Sequence, residues 1–599
     1  MIRALIPALF AALLLVSNPA SAETPTTIPD AVATALTRLI EQHSPEELER
    51  LTADEVEAAL TDTERELFAT RHVSFTVNVP AEVFVYQETR FDESEPFWLQ
   101  QRGFELTDHV VMRDSDRFRV WRKAFDAGEV GLGINAFHRS GRHYFVSVTP
   151  QDPAATLEIS NLYPGYLEVE RFDEGARVYL EETFGRASVV PPALRGHAVI
   201  VMDNNRTNAV QLTSVYRQTR HPAQDKPDQL LLTWSDEPTT TQTIQWRTST
   251  AIEQGGVRYM KKSAYHNFDR PEPTEVAADT RVLETPRNTN DPVVHRHTAV
   301  LRDLEPDTEY VYSVGDDTGG WTELAEFRTA PGRVQPFSFI YMGDVQNGMD
   351  RWQSVVHDAF RERPDAAFYL LAGDLVNRGN DRDDWDDFFH AAEGVFNRRP
   401  LVPLLGNHEY HGGPPDLYHD LLTLPTNGPD TIPPERAYHF EYGNALFVIL
   451  DSMLPPELQS EWLDEVLGAS NATWKFVSYH HPAYSTGRWR DNPHIREHWV
   501  PIIDKHGVDF VFQGHDHVYQ RTYPMRNNQR VATAAEGTYY VIAVAGTKMY
   551  SIDREHPAPV VLTNTITWQV IDIQLQGNRL VYRAYDLDQN LVDEVIIEK

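Results

Sequence analysis

Five short motifs are the chemical signal of this chain. They read Gly343-Asp344-Val345-Gln346, Gly373-Asp374-Leu375-Val376-Asn377-Arg378-Gly379, Gly406-Asn407-His408-Glu409, His480-His481-Pro482-Ala483-Tyr484 and Gly514-His515-Asp516-His517. Each closes an apolar run that reads as a buried parallel strand. In open α/β sheets the active crevice lies beyond the carboxyl ends of such strands. One crevice would then gather two Asp, one Asn, several His and a Gln. That donor set suffices for two metal ions side by side, a centre suited to cleaving phosphate esters.

The donor types assign roles. Hard ions prefer oxygen, and borderline ions accept imidazole. Asp374, central among the motifs, is the expected bridging carboxylate. Asp344 and His517 are expected on one ion, and Asn407, His480 and His515 on the other. Asn407 supplies a neutral carbonyl oxygen without adding charge. Gln346 offers an amide oxygen, or a water takes its place. Two ions about 3.5–4 Å apart polarise a phosphate and lower the pKa of bound water, giving a metal-activated hydroxide. His408 is the expected catalytic residue, protonating the leaving oxygen or holding a phosphoryl oxygen. Asn407, His481 and Tyr484 are expected on the substrate side.

Around the motifs, α/β alternation sets in after Thr329-Ala330-Pro331. Apolar runs fall at 337–342, 366–372, 401–405, 445–450, 474–479, 508–512 and 539–544, with helical stretches around 352–360 and 457–467. Segments 568–575 and 579–585 read as an antiparallel pair turning at Gly577-Asn578. Upstream, residues 23–70 read as helical, with Thr52-Ala53-Asp54-Glu55 as a capping box. Residues 71–223 alternate as strands between turns and read as a β-rich accessory domain. In 224–332, the strand Leu230–Thr233 leads into Trp234, a core-type tryptophan. The alternating Tyr310, Tyr312 and Val314 mark one face of a later strand. The acidic run Asp381–Asp387 reads as a solvated helix start or a pocket rim. His295 and His297 read as exposed, and Asp451 as a structural hydrogen-bonding group. Arg378 and Arg521 either steady phosphate or form salt bridges.

Composition bounds the function. The chain has 599 residues, no cysteine, and 88 Asp+Glu against 54 Lys+Arg, a net charge of -34. Without cysteine there are no disulfides, iron–sulfur clusters, thiolate zinc sites or Cys nucleophiles. The acidity argues against general nucleic-acid binding and requires any phosphate affinity to be local. Arg3, the apolar stretch 5–16 and Ala20-Ser21-Ala22 read as a signal peptide over residues 1–22, cleaved on export to the periplasm or outside. No later stretch is apolar for long enough to span a membrane.

The motifs resemble those of calcineurin-like metallophosphoesterases and, among them, the purple acid phosphatases. The finer likeness lies in His480-x-Pro482-x-Tyr484 and in Gly514-His515-Asp516-His517-Val518-Tyr519-Gln520-Arg521. The pattern Leu304-x-Pro306-x-Thr308-x-Tyr310-x-Tyr312 is similar to fibronectin type III strands. The resemblance implies an α/β fold, a metallophosphoesterase-type β-sandwich flanked by helices over 333–599. Ahead of it stand a fibronectin type III-like sandwich over 224–332 and the N-terminal β-rich domain. It implies Asp344, Asp374, Asn407, His480, His515 and His517 as ligands of two ions (Fe, Zn, Mn or Mg), and small phosphate monoesters as substrates. In one place the chain departs from the purple branch: Asn377 stands where that branch has the Tyr that binds ferric iron. Two alternatives stay open. One is a phosphodiesterase or nucleotidase with the same metals, and the other a non-catalytic envelope protein with a vestigial site.

Overall fold

The computed structural model describes residues 25–599 except 90–94, 114–115, 138–142, 181–185, 204–209, 487–489, 553–558 and 575–577. The signal peptide expected at residues 1–22 therefore lies outside the described residues. Among the described residues no helix is long and apolar enough to cross a membrane. The chain divides into two compact units at Ser214/Val215.

The first unit opens with four helices, Ile28–Gln42, Pro45–Leu48, Ala53–Ala59 and Asp62–Thr70. Each is started by a capping box, at Thr27, Ser44, Thr52 and Thr61. In the expected box, the Thr52 amide donates to Glu55 at 2.9 Å. Two antiparallel sheets follow, of three and seven strands, the larger centred on Phe145–Pro150, Ala81–Glu88 and Asp116–Phe125. Their inward residues, Tyr86 and Phe145 among them, pack with Trp98 of the short helix Trp98–Gln101 into one apolar core.

The second unit joins an antiparallel sandwich to an α/β part. The sandwich core is built on Trp246, Ile244, Tyr312 and Val314. Trp234 is buried, but not in that core: it packs against Phe368, Phe440 and Tyr442 of the α/β part. His297 is likewise not exposed. It lies on the central strand Val293–Leu301, stacked on Trp246 and bonded to Thr248 (2.8 Å) and Thr280 (2.9 Å). Burial pushes its pKa down to about 4, so the core keeps a neutral imidazole.

The α/β part contains two sheets. In the first, the strands Leu401–Pro403, Tyr369–Leu371 and Phe337–Met342 run parallel, and Trp568–Ile573, Arg579–Tyr585 and Leu591–Glu598 continue antiparallel. In the second, Ala445–Ile449, Trp474–Ser478, Phe510–Gln513 and Tyr539–Ile542 run parallel, with antiparallel strands at both edges. Phe339 and Phe368 from the first meet Phe447, Phe476 and Phe512 from the second. Side chains buried on both faces explain why the parallel strands read as continuous apolar runs rather than alternating ones. Helix Met349–Glu362 packs Trp352 flat on Phe388 of helix Arg382–Ala391.

The acidic run at the start of that second helix is not a solvated face. Asp386 is buried and accepts from Arg247 at 2.8 Å and Gln229 at 2.7 Å. Asp383 and Asp384 hold Arg217, and Asp387 holds Arg220. The helix presents its acids to the arginines of the sandwich and of the segment leading into it.

Candidate metal centre

Each motif leaves the C-terminal end of a parallel strand, and the two sheets bring those ends together. Asp344, Asp374 and Asn407 follow three neighbouring strands of one sheet, and His480, His515 and His517 follow two neighbouring strands of the other. Glycine makes the approach possible: a Cβ at Gly514 would lie 2.2 Å from Asp344 Oδ1, and one at Gly406 2.2 Å from Asp374 Oδ1. Asp374 itself adopts a left-handed backbone, φ 53°, a conformation that costs energy in a non-glycine residue.

The donors converge. One ligand atom each from Asp344, Asp374 and His517 lie within 4.8 Å of one another, and all three residues are buried. His517 Nε2 is 3.2 Å from Asp344 Oδ2. His480 Nε2 is 3.3 Å from Asp374 Oδ1 and 3.2 Å from Asn407 Oδ1. His515 Nδ1 is 2.8 Å from the same Asn407 oxygen, and the His515 amide donates to Asp344 Oδ1 at 2.7 Å. Gln346 turns its amide nitrogen to Asp374 Oδ2 at 3.0 Å.

Backbone carbonyls orient two of the rings. His480 Nδ1 donates to the carbonyl of Ala372 (2.8 Å) and His517 Nδ1 to that of Lys548 (2.9 Å). Both Nε2 atoms are thereby turned to the carboxylates, the arrangement typical of metal-binding imidazoles. Burial pushes His481 down to about 3, His517 to about 4 and His515 well below its usual value. Neutral imidazole is the form that binds metal. His480 behaves oppositely. Burial works against its charge, but Asp374 and Asp344 outweigh it and raise it to about 10. Burial raises Asp344 to about 7. Asp374 is held low despite its burial, chiefly by the charge of His480.

A pair of ions fits this set. Asp344 Oδ2 and Gln346 Oε1 are buried oxygens without a hydrogen-bond partner. The neutral His517 aims a lone pair at a carboxylate, an approach that a cation between them satisfies. Beside the cluster a cleft of about 230 Å³ is lined by Arg220, Gln346, Gly348, Met349, Asp350, Asn377, Asp384 and Asp387. The acidic run thus also rims a cleft, the second of its two expected roles.

His408 stands at the edge of the cluster. Its amide donates to Asp374 Oδ1 at 2.9 Å, its Nδ1 to the carbonyl of Asn377 at 2.7 Å, and its Nε2 lies 3.8 Å from Asp374 Oδ2. His411, which gave no signal in the sequence, packs beside it with ring centroids 4.2 Å apart. His481 packs against His515 at 4.3 Å and bonds Ser452 through Nδ1 at 2.9 Å. Tyr484, expected on the substrate side, points elsewhere. It is buried in an apolar layer with Trp499 and Tyr540, its hydroxyl on Asn528 at 3.0 Å. Asp451 accepts from Tyr410 at 2.5 Å and from the Met453 amide at 2.9 Å, a structural role.

Sequence reasoning missed two supports. Glu409, fully buried, accepts the amides of Asp374 (2.9 Å), Leu375 (2.7 Å) and Gly406 (2.7 Å), tying two ligand loops together. Its position directly after Asn407-His408 was the only signal available. Asp516 accepts from Ser485 (2.6 Å), the Thr486 amide (2.7 Å) and Arg490 (2.7 Å), while Arg490 also reaches the His515 carbonyl at 2.8 Å. This fixes the His515–His517 loop.

The same segments match known families. Residues 227–329 match the family model described as purple acid phosphatase, N-terminal domain, and residues 337–519 the one described as calcineurin-like phosphoesterase. An uncharacterized Mycobacterium tuberculosis protein is 29% identical over 339 residues, 50% of this chain and 62% of that protein. Purple acid phosphatase 21 of Arabidopsis thaliana is 28% identical over 246 residues, 39% of this chain and 54% of that one. The chain thus spans 54% to 62% of the length of these relatives. A purple acid phosphatase from yellow lupin (Lupinus luteus) seeds has a similar fold, with a TM-score of 0.54 at 14% identity over 89% of this chain and 91% of that one. The stretch that matches the calcineurin-like phosphoesterase model carries all the candidate ligands, from Asp344 to His517.

Proposed function

We propose that this protein is an exported, dinuclear metal-dependent phosphoesterase that hydrolyses small phosphate monoesters. One observation carries the reading: Asp344, Asp374 and His517, with Asn407, His480, His515 and Gln346 around them, meet at the carboxyl ends of parallel strands. Two bound ions, Fe, Zn, Mn or Mg, would polarise the phosphoryl oxygens and acidify water there. Asp374 is the bridging candidate, having one oxygen toward His480 and the other toward Gln346.

The chain's own residues do the rest. His480 and His517 are held in the ligating tautomer by the carbonyls of Ala372 and Lys548. His408 has its Nδ1–H engaged by Asn377, so its Nε2 is the nitrogen open to the leaving alcohol, and it has a proton to give only when the ring is the imidazolium, with both nitrogens protonated. Asn377 in place of the chromophoric Tyr argues for a centre without that ferric phenolate. Export rests on Arg3, the apolar stretch 5–16 and Ala20-Ser21-Ala22.

The test pairs elemental analysis with turnover. About two metal equivalents per chain are expected, with p-nitrophenyl phosphate hydrolysed faster than its bis ester. Hydrolysis of the bis ester alone would replace the monoesterase reading. Failure to retain metal after supply of Mn, Fe and Zn would replace it with a vestigial site.

A further inference from the structure

Metal ions grip the phosphate of any ester alike, so a choice among esters falls to the groups that meet the alcohol. The cleft beside the cluster is placed to do so. Gln346, part of its lining, turns its amide nitrogen to Asp374 Oδ2 at 3.0 Å and lies 3.4 Å from His517 Nε2. Asn377, also in the lining, takes the Nδ1–H of His408 on its carbonyl at 2.7 Å. The cleft thus begins beside the candidate ligands and beside the histidine expected to serve the leaving oxygen. Its volume, about 230 Å³, is below the roughly 300–1,000 Å³ that hold drug-sized ligands. It has room for a single ring or a short chain.

The lining is almost wholly made for hydrogen bonds. Met349 is its one apolar side chain; the carboxylates of Asp350, Asp384 and Asp387 accept, and Arg220, Gln346 and Asn377 donate. Arg220 gives its Nη2 to Asp387 Oδ2 at 2.7 Å, and its Nε and Nη1 have no partner among the described residues. Asp350 is exposed and makes no hydrogen bond or ion pair with the described residues. Helix Met349–Glu362 starts here without a side-chain cap, so its first amides are open donors as well. Two of the three acids already have cations: Asp384 meets Arg217 at 3.1 Å, and Asp387 meets Arg220. What is left is a dense set of donors and acceptors with little uncompensated charge. A hydroxyl, which both donates and accepts, satisfies such a set. A cationic alcohol would find one unpaired carboxylate, Asp350. An apolar one would strip the groups of water and leave them without partners.

We propose that this cleft binds the alcohol part of the substrate and selects hydroxyl-rich alcohols, so that sugar or polyol phosphates are the preferred esters. The inference rests on the phosphoesterase reading above and names the substrate class of that same site. Arg220 and Asp350 are the specificity-determining pair, because they are the charged lining groups with hydrogen-bonding capacity to spare. Arg220 precedes the sandwich and lies outside the stretch 337–519 that carries the candidate ligands. The choice of substrate therefore draws on a segment that takes no part in holding metal.

The test gives the full-length, metal-loaded protein two esters of primary alcohols with rings of one size. One is glucose phosphorylated on its primary hydroxyl; the other is cyclohexylmethyl phosphate, which has no ring hydroxyls. We expect kcat/KM to be at least about tenfold higher for the sugar ester, since a hydrogen-bonding site rejects the analogue that leaves its groups unpaired. In Arg220→Leu and in Asp350→Leu that ratio should fall about threefold to tenfold, the worth of one hydrogen bond, and in the double variant it should approach one. Both side chains are exposed, so metal content and unfolding midpoint should hold. Arg220→Lys and Asp350→Asn, which still donate and accept, should recover part of the preference. Equal kcat/KM for the two esters in the wild type, or an unchanged ratio in the double variant, would overturn the assignment. So would a preference for ethanolamine phosphate over the sugar ester, which would make the cleft a site for cationic alcohols. If the wild type hydrolyses no ester, the parent reading fails on its own, and calorimetric titration with the same pair decides the cleft. Tighter binding of the sugar ester that the double variant loses supports it, and equal binding overturns it.

Discussion

Replacing Glu409 should unfasten the metal centre without touching a single ligand. The carboxylate is fully buried, and three amides depend on it: Asp374 and Gly406 share one oxygen, and Leu375 takes the other. Those amides belong to the two loops that carry the candidate ligands Asp374 and Asn407. The first of these loops also holds two consecutive residues with positive φ, Gly373 at 82° and Asp374 at 53°. A buried donor left without an acceptor costs about 1–3 kcal/mol. Three of them, partly relieved by water entering the space, put Glu409→Ala at about 4–6 kcal/mol. Glu409→Gln keeps the shape, but its NH₂ cannot accept, so one amide, that of Leu375, faces a donor at a cost of about 2–3 kcal/mol. Displacing a ligand loop by about 1 Å costs about 10²-fold in rate. The assay is urea unfolding followed by tryptophan fluorescence, with metal content and kcat measured on the same preparations. The Gln variant is the decisive one, since it should still fold. If it unfolds at the wild-type urea concentration, retains two metals and turns over at the wild-type rate, Glu409 is not the clasp described here.

Two further outcomes follow from the geometry. His408→Ala should lower the rate by about 10²–10⁴-fold while metal content stays at the wild-type level. The loss should be larger for an alkyl phosphate than for p-nitrophenyl phosphate, whose leaving group needs little protonation, and equal losses on both would remove the proton-donor role. Asp384 gives a pH test. Burial first, and then the neighbouring Asp383, raise it to about 7 against an ordinary value of 3.8. The folded state therefore binds a proton that the unfolded state has lost between those values. Its contribution to stability is present below about pH 4 and is lost as pH rises through about 7. Asp384→Asn should accordingly show a flatter dependence of unfolding midpoint on pH across this window than the wild type, and parallel profiles would refute the shift.

Much of the architecture was readable because it is written in short-range patterns. The run Phe337–Met342 is a strand to the residue, and helices cover both stretches read as helical. The pair Trp568–Ile573 and Arg579–Tyr585 is antiparallel as its spacing suggests. The final strand Leu591–Glu598 went unread because its inward face includes an acid, Asp593, and its outward face an apolar Ile596, which blurs the apolar/polar alternation. Trp234 was legible as a core residue, but its core is that of the α/β layer. His297 was misread because nothing local announces that its strand lies between two others. The solvated reading of Asp381–Asp387 failed because its arginine partners lie 139 to 167 residues away in the chain, while its other reading, as a pocket rim, stands.

What the sequence by itself determined is the chemistry of the donors and the order of the strands that carry them, since residue type and local periodicity need no knowledge of distant partners. Only the tertiary structure decided which groups meet. It turned Tyr484 into the core, buried Glu409 beneath two loops, and committed Arg378, Arg490 and Arg521 to carboxylates. Those outcomes depend on contacts between segments separated by tens to hundreds of residues, and such contacts are fixed by the packing of two sheets rather than by any stretch of chain.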